Sequence, residues 1–195
     1  KIQFALAQFI RSIQSFDSKY DIGRASAPND GANFSNFTAQ ENLGKNLFLT
    51  PPTFNANGVR TAGGLGCAGC HRAPEFDTDP NSRNNGILGR ISGVGGIDVT
   101  NTRAPSLRDL VKLDGTTNGQ MMHTGGITTL QAAIGHYGTI NIAPGNNNLD
   151  PRLMPGGIGQ QLNLNATEVN AVIAFLKTLS GTDVYTNPKW STPFH

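Results

Sequence analysis

The stretch "GLGCAGCHRAP", residues 64–74, holds both cysteines of the chain, Cys67 and Cys70, with His71 directly behind them. Four chemistries suit two thiols at this spacing. A disulfide between them would close a tiny loop and staple almost nothing. Tetrahedral zinc needs four ligands, and no second cysteine pair exists. A thioredoxin-like redox pair expects a strand-to-helix setting, which the flanking sequence lacks. The fourth is covalent c-type haem. Two thiols on one helical turn reach the two vinyl groups on one porphyrin edge, and the next residue lies over the iron. His71 is then the proximal ligand.

A haem held by one histidine leaves a distal position. The candidates by residue type are Met121, Met122, Met154, His123, His136, His195 and Tyr137. Leu130, Ala133, Ile134 and Tyr137 share one helical face, so Tyr137 points inward. Pattern alone reads it as a core tyrosine whose hydroxyl finds a carbonyl. His136 falls on the adjacent face and reads as solvated. His123, in "MMHTGG", reads as a brace for a haem propionate or a loop carbonyl. Met154, in the loop "RLMPGG", is the main competitor for the iron. A methionine would raise the potential, and a tyrosinate would lower it.

These residues must be positioned by a sparse core. The chain has 195 residues, 37% of them hydrophobic and only 14% charged, against roughly 25% charged in an average domain. A large buried cofactor would help explain so thin a core. The net charge is +2 and no basic run occurs, which disfavours nucleic acid as a partner. No stretch approaches the length of a membrane span.

Local signals place several helices. The opening "KIQFALAQFIRSIQSF" sets Ile2, Leu6, Phe9, Ile10 and Ile13 on one face. It starts abruptly, either because sequence precedes it or because it is a first surface helix. No secretory leader is visible. "DIGRASAPNDGANFSN" reads as an exposed linker. Thr38 and Glu41 form a capping box that starts a helix with Leu43, Leu47 and Phe48 inward. Loops follow to about Asn101, including "FDTDPNSRNNG". "PSLRDLVKL" reads as a short helix with Pro105 in its first turn. "TTLQAAIGHYG" reads as a Thr-capped helix stopped by Gly138. "NATEVNAVIAFLKTLSG" carries a box of Asn165 and Glu168, an inner stripe of Val169, Val172, Ile173, Leu176 and Leu179, and Gly181 at its end. No period-two run stands out, so the expected class is all-α with long loops.

The ordered motifs "GLGCAGCHRAPEF", "TRAPSLRDL", "MMHTGGITTLQAAIGHYG" and "LNLNATEVNAVIAFLKTLSG" resemble the C-terminal haem domain of the bacterial dihaem cytochrome c peroxidase and MauG superfamily. The resemblance spans residues 38 to 181. It implies a cytochrome c-like haem domain over 38–185 and a tail over 186–195. Residues 1–20 look like the last helix of the family's N-terminal haem domain, with 21–37 as linker. Cys67, Cys70 and His71 would attach and ligate one haem c. The distal position falls on Tyr137, where peroxidases proper carry Met and the MauG-like branch carries Tyr. That lifts Tyr137 above Met154. A calcium ion between the domains would take backbone carbonyls at Asn118 and Gln120. Arg103 and Arg108 would pair with propionates, and the Pro74 carbonyl would orient Nδ1 of His71.

The family's other half carries the haem that meets hydrogen peroxide, its acid/base residues and a bridging tryptophan. Trp190 is no obvious replacement, so this chain alone should not show full peroxidase turnover. The implied partners are that N-terminal haem domain or chain, a small cytochrome or copper protein as electron donor, or a protein substrate. A periplasmic or other extracytoplasmic location and a homodimer are further implications. The rival functions are a monohaem electron-transfer cytochrome using Met154, and a non-haem binding or structural module.

Overall fold

The computed structural model describes residues 1–77, 82–91 and 95–192. His195, one of the axial candidates, lies outside them, as does part of the predicted loop "FDTDPNSRNNG". Six α-helices are described: α1 Ile2–Ser12, α2 Lys19–Ala25, α3 Ala39–Leu49, α4 Leu130–Gly138, α5 Ala166–Lys177 and α6 Asp183–Thr186. No described helix is long and apolar enough to cross a membrane.

Side-chain caps start the central helices. Thr38 accepts from the Glu41 amide while Glu41 reaches back to the Thr38 amide, and Asn165 and Glu168 do the same for α5. Thr129 caps α4. Each cap satisfies N–H groups that a helix start would leave orphaned. Helices α3 and α5 then cross closely. A Cβ on Gly44 would lie 1.9 Å from the Ala171 carbonyl oxygen, so only glycine permits this approach.

The core sits beside that crossing. Phe48 of α3 and Phe175 of α5 have ring centroids 5.1 Å apart, and Phe76 lies 5.9 Å from Phe48. Tyr20 of α2 closes the cluster edge-on, 4.8 Å from Phe76. The inner face of α5 is made by Ala171, Val172, Phe175 and Leu176, with Leu179 just beyond it. Val169 and Ile173 are only half-buried. On α3 the inward residues are Gly44, Lys45 and Phe48, whereas Leu43 is exposed.

The all-α expectation is overturned. Strands β1 Pro52–Phe54 and β2 Arg60–Gly63 pair antiparallel, as do β3 Gly89–Arg90 and β4 Ile97–Asp98. The chain is therefore mixed, though its helices remain compatible with a cytochrome c-like arrangement. Between α3 and α4 glycine and proline keep the backbone out of helix, and short ladders satisfy its polar groups instead. The β1–β2 turn uses Asn55, whose side chain accepts from the Asn57 and Val59 amides, and Gly58 at φ +73°.

Two local readings also change. The segment read as an exposed linker begins inside α2, which Ser18 caps with Asp21, and it buries Phe34 and Phe37. "PSLRDLVKL" forms no helix. Asp109 takes a left-handed φ of +55°, and the Leu107 and Asp109 amides donate to the Phe76 and Leu179 carbonyls. Long-range partners there replace the helical ladder. Helix α1 is amphipathic as expected, but none of its residues is buried.

Candidate functional site

One cavity encloses about 1240 Å³, more than the roughly 300–1,000 Å³ usual for small-molecule sites. Its walls come from α3, α4, α5 and the loops that carry the motifs. The cysteine turn forms one wall. Gly66 enters it at φ +68°, where a Cβ would sit 2.6 Å from the Pro52 ring. A 3₁₀ turn follows over Cys67–Gly69, and the Cys70 and His71 amides both donate to the Cys67 carbonyl. The two thiols are not joined by a disulfide. Burial pushes the Cys67 thiol up to about 12, which disfavours its thiolate.

His71 lines the same cavity. Its Nδ1–H donates to the Phe76 carbonyl at 3.0 Å. That bond selects the tautomer whose Nε2 keeps a lone pair for a ligand. Burial, the leading cause, lowers the imidazole's pKa and favours the neutral form. The expected Pro74 carbonyl is not the partner, because it accepts from Arg108 Nε at 2.9 Å and Nη2 at 2.7 Å.

Helix α4 supplies another wall through Leu130, Ala133, Ile134 and Tyr137, the face expected from sequence. The Tyr137 hydroxyl accepts a hydrogen bond from Asn85 Nδ2 at 3.0 Å. Burial raises its pKa, partly offset by that bond. The buried Gln160 side chain donates to the Tyr137 carbonyl at 2.8 Å and secures the end of α4. Met121 and Met122 also line the cavity, but Met154 does not. Met154 is half-buried between two 3₁₀ turns.

The other candidates are distributed around the rim. His136 is not solvated: its Nε2 donates to the Asn85 carbonyl at 2.9 Å. His123 is exposed and lies 3.3 Å from Asp98. Arg103 borders the cavity, its side chain mostly exposed and 3.4 Å from Asp77. Arg108 also borders it, but its guanidinium is buried against Asp21 at 2.8 and 2.9 Å and donates to the Ser15 carbonyl at 2.6 Å. Asn118 and Gln120 lie on the exposed rim loop, where Asn118 Nδ2 donates to the Asp109 carbonyl and the Tyr185 hydroxyl. Among the described residues no three His, Cys, Asp or Glu side chains cluster as a metal site.

Sequence reasoning missed two features. Asn85 was visible only as part of the loop "FDTDPNSRNNG". The second is Asp150, buried, which takes a bidentate pair from Arg152 at 2.8 Å for each bond. Burial alone would raise the Asp150 carboxyl's pKa, but Arg152 and the Arg83 amide outweigh it, and the value lies below the usual range. Arg152 Nη1 also donates to the Gly69 carbonyl at 2.7 Å, which ties the cysteine turn to a distant loop.

These residues fit a haem c. The cavity is large and mostly apolar. It places both thiols and an imidazole with a tethered Nδ1 on one turn, and it has oxygen and sulfur donors on other walls.

No family model matches the chain, and no curated protein matches it significantly. The chain is similar to the solved structure of a MauG-like protein associated with microbial copper homeostasis, with 24% identity and a TM-score of 0.58. The match covers 93% of this chain and 53% of that one. The present chain thus spans about half the length of that protein, and the two share a fold.

Proposed function

We propose that the chain is a haem c domain of a dihaem cytochrome c peroxidase or MauG-like oxidoreductase. One observation carries this reading: a single cavity joins the Cys67–His71 turn, with its imidazole oriented by the Phe76 carbonyl, to Tyr137 on α4. In this reading Cys67 and Cys70 would hold the porphyrin through thioethers, and His71 Nε2 and Tyr137 Oη would be the donors offered to its iron. When bound, the haem supplies one-electron chemistry and stores or relays oxidising equivalents.

The protein's own part is to hold and exclude. Phe48, Leu65, Val172 and Leu176 give the cavity an apolar wall, which lowers the local dielectric and keeps water out. The Phe76 carbonyl fixes the imidazole plane. Arg103, more exposed than Arg108, borders the cavity and suits a propionate. The match to half of a MauG-like chain supports a second, peroxide-meeting half outside residues 38–185, to which α1, within residues 1–20, would belong as the last helix. Calcium at the Asn118 and Gln120 carbonyls, an extracytoplasmic location, a small redox-protein donor or protein substrate, and a homodimer belong to the same proposal. The monohaem carrier reading relied on Met154, which lies off the cavity wall.

The test is intact mass with a haem stain, on protein expressed with a c-type maturation system. The expected mass is one haem above the polypeptide. A colourless product with the mass of the bare chain overturns the reading.

A further inference from the structure

Asn85 occupies a singular place. Its amide nitrogen lies 3.0 Å from Tyr137 Oη and 3.3 Å from Met122 Sδ. The one NH₂ group therefore faces two potential iron donors, an oxygen and a sulfur, and both line the cavity. Its orientation is determined from two sides. The amide oxygen accepts from the Ile87 amide at 3.2 Å, so the nitrogen must point at Tyr137 and Met122. The backbone carbonyl accepts from His136 Nε2 at 2.9 Å. His136 and Tyr137 are neighbours on α4, so the helix grips Asn85 at both its main chain and its side chain.

The ground beneath is equally rigid. Asn84, fully buried, exchanges two amide bonds of 3.0 Å with Asn146 and donates to the Asn148 carbonyl at 2.7 Å. Met122 itself sits at φ +67°, a left-handed backbone that methionine adopts only where the surroundings impose it.

We infer that Asn85 is the positioning residue that decides between Tyr137 and Met122 for the distal seat of the haem. The inference rests on the reading that haem c occupies the cavity. An amide N–H binds a phenol oxygen well and a thioether weakly. Two N–H bonds on one anchored amide hold Tyr137 Oη in place and tether the Met122 sulfur beside it. A hydrogen-bonded oxygen keeps a lone pair for the metal. Removing the amide frees both side chains, and the flexible, soft thioether becomes the competing ligand.

The experiment uses haem-loaded protein and reads the ferric absorption and resonance Raman spectra and the reduction potential. Asn85→Leu should lose part of the tyrosinate signature, gain a sulfur-to-iron charge-transfer band and shift the potential upward. Adding Met122→Leu should abolish that band. If Asn85→Leu does not accumulate, Asn85→Ser replaces it with the same expectation. An Asn85 variant with the wild-type spectrum and potential, alongside a Tyr137→Phe variant that changes both, overturns the role of Asn85. Wild type without covalent haem, or Tyr137→Phe without spectral change, overturns instead the reading beneath it.

Discussion

His71 Nδ1 lies 3.0 Å from the carbonyl oxygen of Phe76, a fully buried residue held at φ +54°. The imidazole proposed as a haem ligand is thus oriented by the backbone of the aromatic core. The Phe76 amide returns to the Arg72 carbonyl at 2.6 Å, and its ring packs on Tyr20, Phe48 and Phe175. Orientation of the imidazole and packing of the core are therefore one structural event.

Tyr137→Phe in the haem-loaded protein is expected to change the ferric spectrum and raise the potential, because an anionic oxygen donor stabilises ferric iron. Met154→Leu is expected to change neither, since Met154 is off the cavity wall. Spectroelectrochemistry of the two variants checks both. A shift in Met154→Leu with none in Tyr137→Phe would reverse the assignment.

Gly44→Ala should destabilise the protein by about 1–3 kcal/mol or more, the usual range for forced overpacking. The new Cβ meets backbone, the Ala171 carbonyl, so no side-chain rotation relieves it. Denaturant unfolding of the loaded protein measures the effect. An unchanged midpoint would mean that α3 and α5 are not packed this closely.

Arg108→Ala removes one partner of a buried ion pair and should cost about 3–5 kcal/mol. It also releases Asp21, Ser15 and Pro74 together, and thus loosens the join between α2 and the loop after His71. Thermal unfolding is the measurement. A loss within experimental error would show the pair to be dispensable.

Acid should destabilise the fold through Asp21 and Asp150. Burial raises both carboxyls, but their arginine pairs outweigh it, and both lie below the ordinary value. Their contribution is therefore complete above the unfolded carboxylate range, near pH 4, and is lost as pH falls through the folded values. Asp21→Asn should be less stable at neutral pH and show a shallower acid loss. An acid limb as steep as wild type would place the linkage elsewhere.

Arg152→Ala should loosen the cysteine turn by freeing the Gly69 carbonyl and leaving Asp150 buried without its bidentate partner. Hydrogen exchange at the amides of residues 67–71 is expected to accelerate relative to wild type. Arg152→Lys, which cannot form the planar fork, should restore it only partly. Unchanged exchange in Arg152→Ala would mean the turn holds itself.

What the sequence by itself determined is local. The capping residues Thr38, Thr129 and Asn165 start helices where their side chains reach the next few amides, and the Cys67–Cys70–His71 spacing places its groups on one turn. The apolar face of α4 is legible for the same reason. Misreadings arose where distant partners intervene. "PSLRDLVKL" has a helical pattern, but its amides find Phe76 and Leu179. Phe34 looked solvent-bound amid Gly, Asn and Pro, yet it packs 5.5 Å from Tyr20. Tertiary structure alone decided which donors share the cavity: Asn85 reaches Tyr137 across 52 residues and Arg152 reaches Gly69 across 83. Such pairs carry no periodicity, because only the folded chain brings them within hydrogen-bond range.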